Sequence, residues 1–503
     1  MLILALSMSA YAVPPALSME GFCPGPVDIQ ASEGTPDGMA ALVWADGPGS
    51  FTLASGPCPG LEIPLDSPSK WFFRFGPDGT RDFMPTIPEG PCDKSYAVVD
   101  LVSCTVSPVT TILPPVVGGL SNEFSITTAV DSSYSVMEVR GMADGRTAVA
   151  WGTSAGAQLA IVGADGTVHD AWSYPELARA AGMDVTADGG FILAGEAEYF
   201  NNPTLLKVDA AGNPEWATTA DEGYPEQGYY AVRELEDGRF AVGGIFDAMY
   251  DAAGNLEWQK IQIGGGGNVN SVEAFANGDL LIAGEGSSGV PADTYNWVVN
   301  RVTTDGVVVW SRALGGDGYD WAGGATEAAD GGVFLTGWTG SVGISGGNDC
   351  GVVKLDSVGD LAWAIGLGDL GGTATSCYRN HSTADGGVVV VGGYGDAMFL
   401  AKVDAAGTLE WARSYADAIG YALDATADGG FVAVGKTGAS DVLVVHTDAE
   451  GRSGCEADIP FTVADALIEI APNGTDGGSS PAISPRAVTA DAVGAEIVGE
   501  CAL

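Results

Sequence analysis

TADGGFILAG at 186–195, followed by LLKVDAAGNPEW at 205–216, is one copy of a unit that recurs seven times between Asp144 and Gly451. The other copies pair ADGRTAVAWG with LAIVGADGTVHDAW, EDGRFAVGG with AMYDAAGNLEW, ANGDLLIAG with VVNRVTTDGVVVW, ADGGVFLTG with GVVKLDSVGDLAW, ADGGVVVVGG with FLAKVDAAGTLEW, and ADGGFVAVG with LVVHTDAEGRSGC. Their aligned first residues are Asp144, Asp188, Asp237, Asn277, Asp330, Asp385 and Asp428, spaced by 44, 49, 40, 53, 55 and 43. A period of this size with several short strands per unit specifies a β-propeller. Asp-Gly or Asn-Gly supplies the positive φ of a tight hairpin. The run after it is apolar at nearly every position, so both its faces are buried, as in a strand held between neighbouring blades.

Each unit's third strand ends in a DAAGN-like turn that leads to a Trp: 172, 216, 258, 310, 363 and 411. Cys455 takes that place in the seventh copy. One Trp per unit is expected to pack between blades, where a large ring buries most area. NEFSITTAV (122–130) lies upstream of the first unit and carries Phe124 where a Trp would stand. This strand is expected to complete the seventh blade and close the ring, removing the exposed edges of an open array.

The 503 residues divide into five segments. MLILALSMSAYA (1–12) is apolar and ends in a small-x-small pattern, as a secretory signal peptide does. Residues 16–108 alternate β-type runs with Gly/Pro turns and are expected to form a small Ig-like β-sandwich. Residues 109–120 form a Pro-containing linker, and 121–455 the seven-bladed propeller. The tail, 456–503, has room for one or two strands. The fold class expected is therefore all-β.

Acidic residues number 65 against 20 basic ones, a net charge of −45, which repels nucleic acid and anionic lipid. No later segment is long and apolar enough to span a bilayer. Eight cysteines fit disulfides in an oxidising compartment. Cys23, Cys58, Cys92 and Cys104 belong to the first module, where three pairings are open. Cys350 with Cys377 is expected to bridge adjacent blades, and Cys455 with Cys501 to tie down the tail. No CxxC pair occurs, so no zinc site is expected.

The repeat DGG(F/V)xxxG…KxDxxGNxxW resembles the propeller repeats of large secreted proteins of myxobacteria and Bacteroidetes, over about 330 residues. The first module, with CPGPVDIQASEGTPDGMAALVWADGPGSFTLASGPCPGLEIPL, resembles Cys-containing sandwich modules of secreted myxobacterial proteins. Both resemblances imply fold and secretion, and neither implies a chemistry.

Short uniform turns fall on one face of the propeller and long irregular connections on the other. Binding residues concentrate on such loops. Tyr229, Tyr230, Tyr319, Trp321 and Trp338 are the expected contacts, with Asp317 and Asp320 beside them. Asp317-Gly-Tyr-Asp320 and Asn348-Asp349 also offer oxygens to Ca²⁺, but neither matches a calcium loop, and turn roles account for them. Metal and other cofactors are not expected.

Two further series recur. Five residues before each third-strand Gly stand Ile161, Lys207, Met249, Arg301, Lys354, Lys402 and His446, several with Asp two positions on; a repeated ion pair is expected. Four residues before each Asp-Gly stand Arg140, Asp184, Arg233, Glu273, Thr326, His381 and Asp424. These are expected to line the central channel or bridge blades.

No GxSxG, HExxH or phosphate loop is present. The sequence therefore favours a secreted, monomeric, non-catalytic binding protein for a glycan or an extracellular protein. A polysaccharide hydrolase or lyase with carboxylates at the channel mouth is the alternative, and a structural surface spacer a third.

Overall fold

A computed structural model describes residues 15–21, 25–45, 48–65, 67–83, 86–87, 94–107, 110–111, 123–127, 130, 137–198, 201–220, 228–244, 246–261, 268–286, 295–316, 318–341, 344, 348–466, 469–472, 483–485, 491–492 and 496–499. The signal-peptide segment, most of the linker, and Cys23, Cys92, Cys501 and Asp317 lie outside them. The chain forms two compact units, 1–119 and 120–503. The described secondary structure is entirely β.

In the first unit, Met39–Ala45 sits between Ser69–Arg74 and Ser95–Asp100, all antiparallel. One face of this sheet packs Ala40, Leu42, Phe73 and Val98 against Ile29 and Ala31 of a second sheet. The opposite face packs Ala41, Val43, Ala97 and Val99 against Ile63 and Leu65 of the Pro48–Thr52/Glu62–Leu65 hairpin. A strand covered on both sides has no polar alternation, which is why AALVWA and SYAVV read as continuous apolar runs. Cys58 and Cys104 are disulfide-bonded across 46 residues.

The second unit is a β-propeller. Its described residues hold seven antiparallel sheets, six of them built inside-out from four consecutive strands. Sheet 1 runs from Met137–Gly141 to Val168–Tyr174, and sheet 2 from Arg179–Val185 to Pro214–Ala220. Sheet 3 runs from Tyr229–Glu234 to Leu256–Ile261, and sheet 4 from Val269–Ala274 to Val308–Gly315. Sheet 5 runs from Asp320–Glu327 to Leu361–Gly368, and sheet 6 from Thr375–Ser382 to Leu409–Ser414. Sheet 7 takes Ala418–Ala425, Phe431–Thr437 and Val442–Thr447, and receives its fourth strand, Glu123–Thr127, from the other end of the unit.

Each sheet-to-sheet interface is a separate hydrophobic cluster. The one that closes the ring brings Phe124, Ile126, Val432 and Val444 of sheet 7 against Met137, Val139 and Val149 of sheet 1. The repeated aromatic locks successive sheets together. Trp172, Trp216, Trp258, Trp310, Trp363 and Trp411 each lie over a turn glycine of the next sheet: Gly212, Gly254, Gly306, Gly359, Gly407 and Gly451. Phe124 covers Gly166 of sheet 1 in the same way and completes the circuit.

The tail departs from expectation. Six short strands, rather than one or two, lie between 456 and 499. Ala457–Asp458 adds to the outer edge of sheet 6, Thr462–Asp465 to sheet 5, and Glu469–Pro472 to sheet 4. Ile483–Pro485 adds to sheet 2, Asp491–Ala492 to sheet 1, and Glu496–Gly499 to sheet 7. The tail is thus a belt that travels round the rim against the order of the sheets. Its pairing is by backbone on two to four residues at a time, so no run of apolar side chains announces it. Cys455, where the belt begins, is disulfide-bonded; the expected partner, Cys501, lies outside the described residues.

The third-strand cations make ion pairs, but with a different partner from the one expected. Lys207 reaches Asp188 of its own hairpin turn at 2.8 Å, Lys354 reaches Asp330 at 2.6 Å, and Arg301 reaches Asp279 at 2.7 Å. Lys402 reaches Asp385 likewise. Asp209, two positions after Lys207, instead accepts from the backbone N–H groups of Ala211 and Asn213 and holds its own turn.

Sheet 7 has His446 at the cation position. It is 7% exposed, stacks on Phe124 at 6.0 Å, and its Nε2 has no hydrogen-bond partner among the described residues. Burial pulls its pKa down to about 4 from 6.5. Between these values the unfolded chain binds the proton and the folded chain does not. Stability is therefore full above pH 6.5 and is lost as pH falls toward 4, by about 3 kcal/mol for this group. In urea unfolding the wild type should lose about 3 kcal/mol relative to His446→Phe as pH falls across this window. A difference that stays constant would contradict the assignment.

Candidate functional site

The loop face concentrates its aromatic residues on sheets 4 to 7. Tyr295 precedes the third strand of sheet 4, Tyr319, Trp321 and Trp338 belong to sheet 5, and Tyr378 and Tyr421 stand on the innermost strands of sheets 6 and 7. Their rings form one continuous ribbon. Tyr295 stacks on Tyr319 at 5.2 Å, Tyr319 on Trp338 at 5.0 Å, and Trp338 on Trp321 at 6.2 Å. Trp321 meets Tyr378 edge-on at 5.6 Å, and Tyr378 meets Tyr421 at 4.8 Å. Tyr295 and Tyr319 are 40% and 42% exposed.

Local backbone geometry aims these rings. In six of the sheets the innermost strand carries a β-bulge at the same repeat position: Ala181, Tyr230, Asn270, Gly323, Tyr378 and Tyr421. A bulge leaves one residue unpaired and redirects its side chain. Each of these positions lies seven residues before the aligned turn Asp or Asn, a signal present in the sequence. At Gly323 a Cβ would stand 2.1 Å from the Tyr378 carbonyl oxygen and 2.7 Å from the Trp321 ring. Only glycine lets the two strands approach there. The expected disulfide between Cys350 and Cys377 is present. Cys350 is the register partner of Trp338, and Cys377 precedes Tyr378, so the bond fixes sheets 5 and 6 where the ribbon crosses.

Tyr319, Trp321 and Trp338 are thus brought together. Tyr229 is not among them: it is fully buried, with its hydroxyl 2.7 Å from that of Tyr250. The expectation that it contacts ligand is corrected by alternation, because of two adjacent tyrosines one faces the core. Tyr230, at the bulge, lies 5.9 Å under the Arg179 guanidinium on sheet 2, away from the ribbon. Asp320 is 1% exposed; its carboxylate accepts from the Ser341 hydroxyl at 2.9 Å, the Gly316 N–H at 3.1 Å and the Thr339 hydroxyl. Burial raises its pKa. It organises the loop rather than presenting itself. Asp317 lies outside the described residues.

Glu285 was not singled out in the sequence. It ends the second strand of sheet 4, is 6% exposed, and receives the Tyr319 hydroxyl at 3.2 Å and the Asn268 amide at 3.4 Å. Burial pushes its carboxyl up to about 7, offset in part by the Tyr319 and Asn268 hydrogen bonds. A partly protonated carboxyl lies under the ribbon as a result.

The innermost-strand series meets in the channel. Arg140, Arg233, Glu273, Thr326, His381 and Asp424 line one cavity of about 270 Å³, together with Glu138 and Arg379. Asp184 sits behind them, 3.3 Å from Arg140 and 3.1 Å from Arg233. Arg233 continues to Glu273 at 3.2 Å, and His381 to Asp424 at 3.3 Å. The residues both line the channel and link neighbouring sheets. Among the described residues, no cluster of three or more His, Cys, Asp or Glu is placed to hold a metal ion.

No family model and no curated protein matches the chain. Solved structures similar to it are propeller folds. Streptogramin B lyase aligns with a TM-score of 0.42 at 11% identity, covering 65% of this chain and 99% of that one. The Pan2 WD40 domain of Neurospora crassa aligns at 0.44 and 10%, covering 65% and 97%. A protein of unknown function from Bacteroides caccae aligns at 0.33 and 14%, covering 54% and 89%. The fold assignment rests on the chain's own sheets. Disulfides suit an oxidising location, and no described helix is long and apolar enough to cross a membrane.

Proposed function

We propose that the chain is a secreted, non-catalytic binding protein, a seven-bladed propeller behind an Ig-like sandwich, that holds a glycan on the variable-loop face. The ribbon from Tyr295 to Tyr421 carries this reading. Six rings in series offer apolar edges and faces to sugar C–H groups, and the Tyr hydroxyls and flanking amides offer hydrogen bonds. Aromatic residues of this kind are also the usual anchors of an interface.

A glycan array followed by calorimetry tests it. Tyr319→Ala combined with Trp338→Ala should weaken binding at least tenfold while the melting temperature of the ring stays near that of the wild type. Arrays that remain blank with folded protein would sink the glycan reading, and capture of a protein ligand alone would replace it.

Glu285 favours one second reading, a polysaccharide hydrolase or lyase, because a carboxyl near neutrality can act as a general acid. The channel carboxylates are poorer candidates, since Arg140, Arg233 and His381 already pair with them. Product release from the bound polysaccharide that disappears in Glu285→Gln, with binding retained, would establish this reading over the first.

A further inference from the structure

The polar cavity runs along the channel from Asn270 and Arg379 to the uniform hairpin turns. Ala274, Glu327 and Ser382, the last residues of their strands beside the uniform hairpin turns, are part of its wall. Trp321, Tyr378 and Tyr421, nearer the loop face on the same set of innermost strands, are not. At its end toward the ribbon, Arg379 donates to the Gly323 carbonyl at 2.5 Å and Asn270 donates to the Ala322 carbonyl at 2.9 Å. The cavity is therefore a second concave site, within the channel, whose wall reaches the regular turns.

Its charges are interleaved. Arg140 and Arg379 have side chains only 13% and 16% exposed, and Glu138 lies between them, 2.6 Å from the first and 3.7 Å from the second. Arg140 uses Nε and Nη1, and Arg379 uses Nη1; among the described residues Nη2 of Arg140 and Nε of Arg379 have no hydrogen-bond partner. Burial pulls the Arg379 guanidinium below its usual value and Arg140 adds repulsion, offset in part by Glu138 and Glu273, so an added acceptor on its open N–H edge would favour the charged form. Two carboxylates of sheets 4 and 5 share the wall. Glu273 bonds Arg233 through Oε2 and Glu327 accepts the Ala276 N–H through Oε2. Each keeps Oε1 without a hydrogen-bond partner among the described residues.

We propose that this cavity binds a small zwitterion, an α-amino acid, with its carboxylate on the open N–H edges of Arg379 and Arg140 and its ammonium between Glu273 and Glu327. A guanidinium fork matches a carboxylate in shape as well as charge. A cavity of about 270 Å³ admits a molecule of that size. The −45 charge of the chain disfavours simple anions, whereas a zwitterion carries no net charge into that field. The site is independent of the glycan reading.

Calorimetry with glycine, alanine, serine, glutamate and lysine, each beside its N-acetyl derivative and its methyl ester, tests the proposal. At least one free amino acid should bind, and both derivatives should bind at least tenfold more weakly. Arg379→Met should reduce the affinity at least tenfold. Should that variant fail to fold, Thr326→Leu serves: the Thr326 hydroxyl has no hydrogen-bond partner among the described residues, and leucine puts apolar bulk into the wall of the cavity. An absence of binding by every amino acid, equal binding of a derivative, or undiminished binding in Thr326→Leu would each overturn it.

Discussion

Deletion of residues 120–130 should abolish the cooperative unfolding of the whole propeller, not only the order of one sheet. Glu123–Thr127 is the fourth strand of sheet 7 and contributes Phe124 and Ile126 to the cluster that joins sheet 7 to sheet 1. Glu123, 1% exposed, also accepts the Ser453 hydroxyl at 2.6 Å and the Ala416 N–H at 3.1 Å. Its removal uncovers two strand edges, unpairs buried donors and opens a ring whose interfaces depend on closure. The single change Phe124→Ala should cost about 3–5 kcal/mol, the usual loss for a buried Phe. Calorimetric melting reads both. A deleted protein that melts as the wild type does would mean that the sheets are stable without closure.

Gly212→Ala should be the most damaging conservative change among the turn glycines. Its φ is +77°, and a Cβ there would lie 2.2 Å from the Trp172 indole, so the methyl must displace the ring that locks sheet 1 to sheet 2. The left-handed backbone costs about 1–2 kcal/mol, and overpacking a fitted contact about 1–3 kcal/mol more. Gly145→Ala is the control: φ is +84°, and nothing lies within 4 Å of the added methyl. It should lose only the backbone share. Equal losses at the two positions would show that the indole contact contributes nothing.

The fold was legible because its regular parts repeat. The Asp-Gly turn, the apolar second strand and the aromatic before the outer edge each recur at fixed offsets, and the closing Phe124 obeys the same offset. The belt was not legible, since TVAD, EIAP and EIVG pair through their backbone at an edge, where side-chain patterning is weak. The site was legible in half. Tyr319, Trp321 and Trp338 stood out as loop aromatics, and Tyr378 and Tyr421 share a bulge position that counting back from the turn would have found. Glu285 carries no sequence signal of its own: its hydrogen-bond partners Tyr319 and Asn268 stand just before the innermost strands of two different sheets. Tyr229 is misplaced for the opposite reason, as composition cannot say which of the neighbouring Tyr229 and Tyr230 points inward.

Glu123–Thr127 lies between Val442–Thr447 and Glu496–Gly499, antiparallel to both. Tension drawn along the chain from its amino-terminal side therefore meets two rows of hydrogen bonds lying crosswise to the pull. These must slide together rather than open one at a time. A protein exposed to flow or to traction between surfaces would, by this clamp, bear load at the point where its ring is joined.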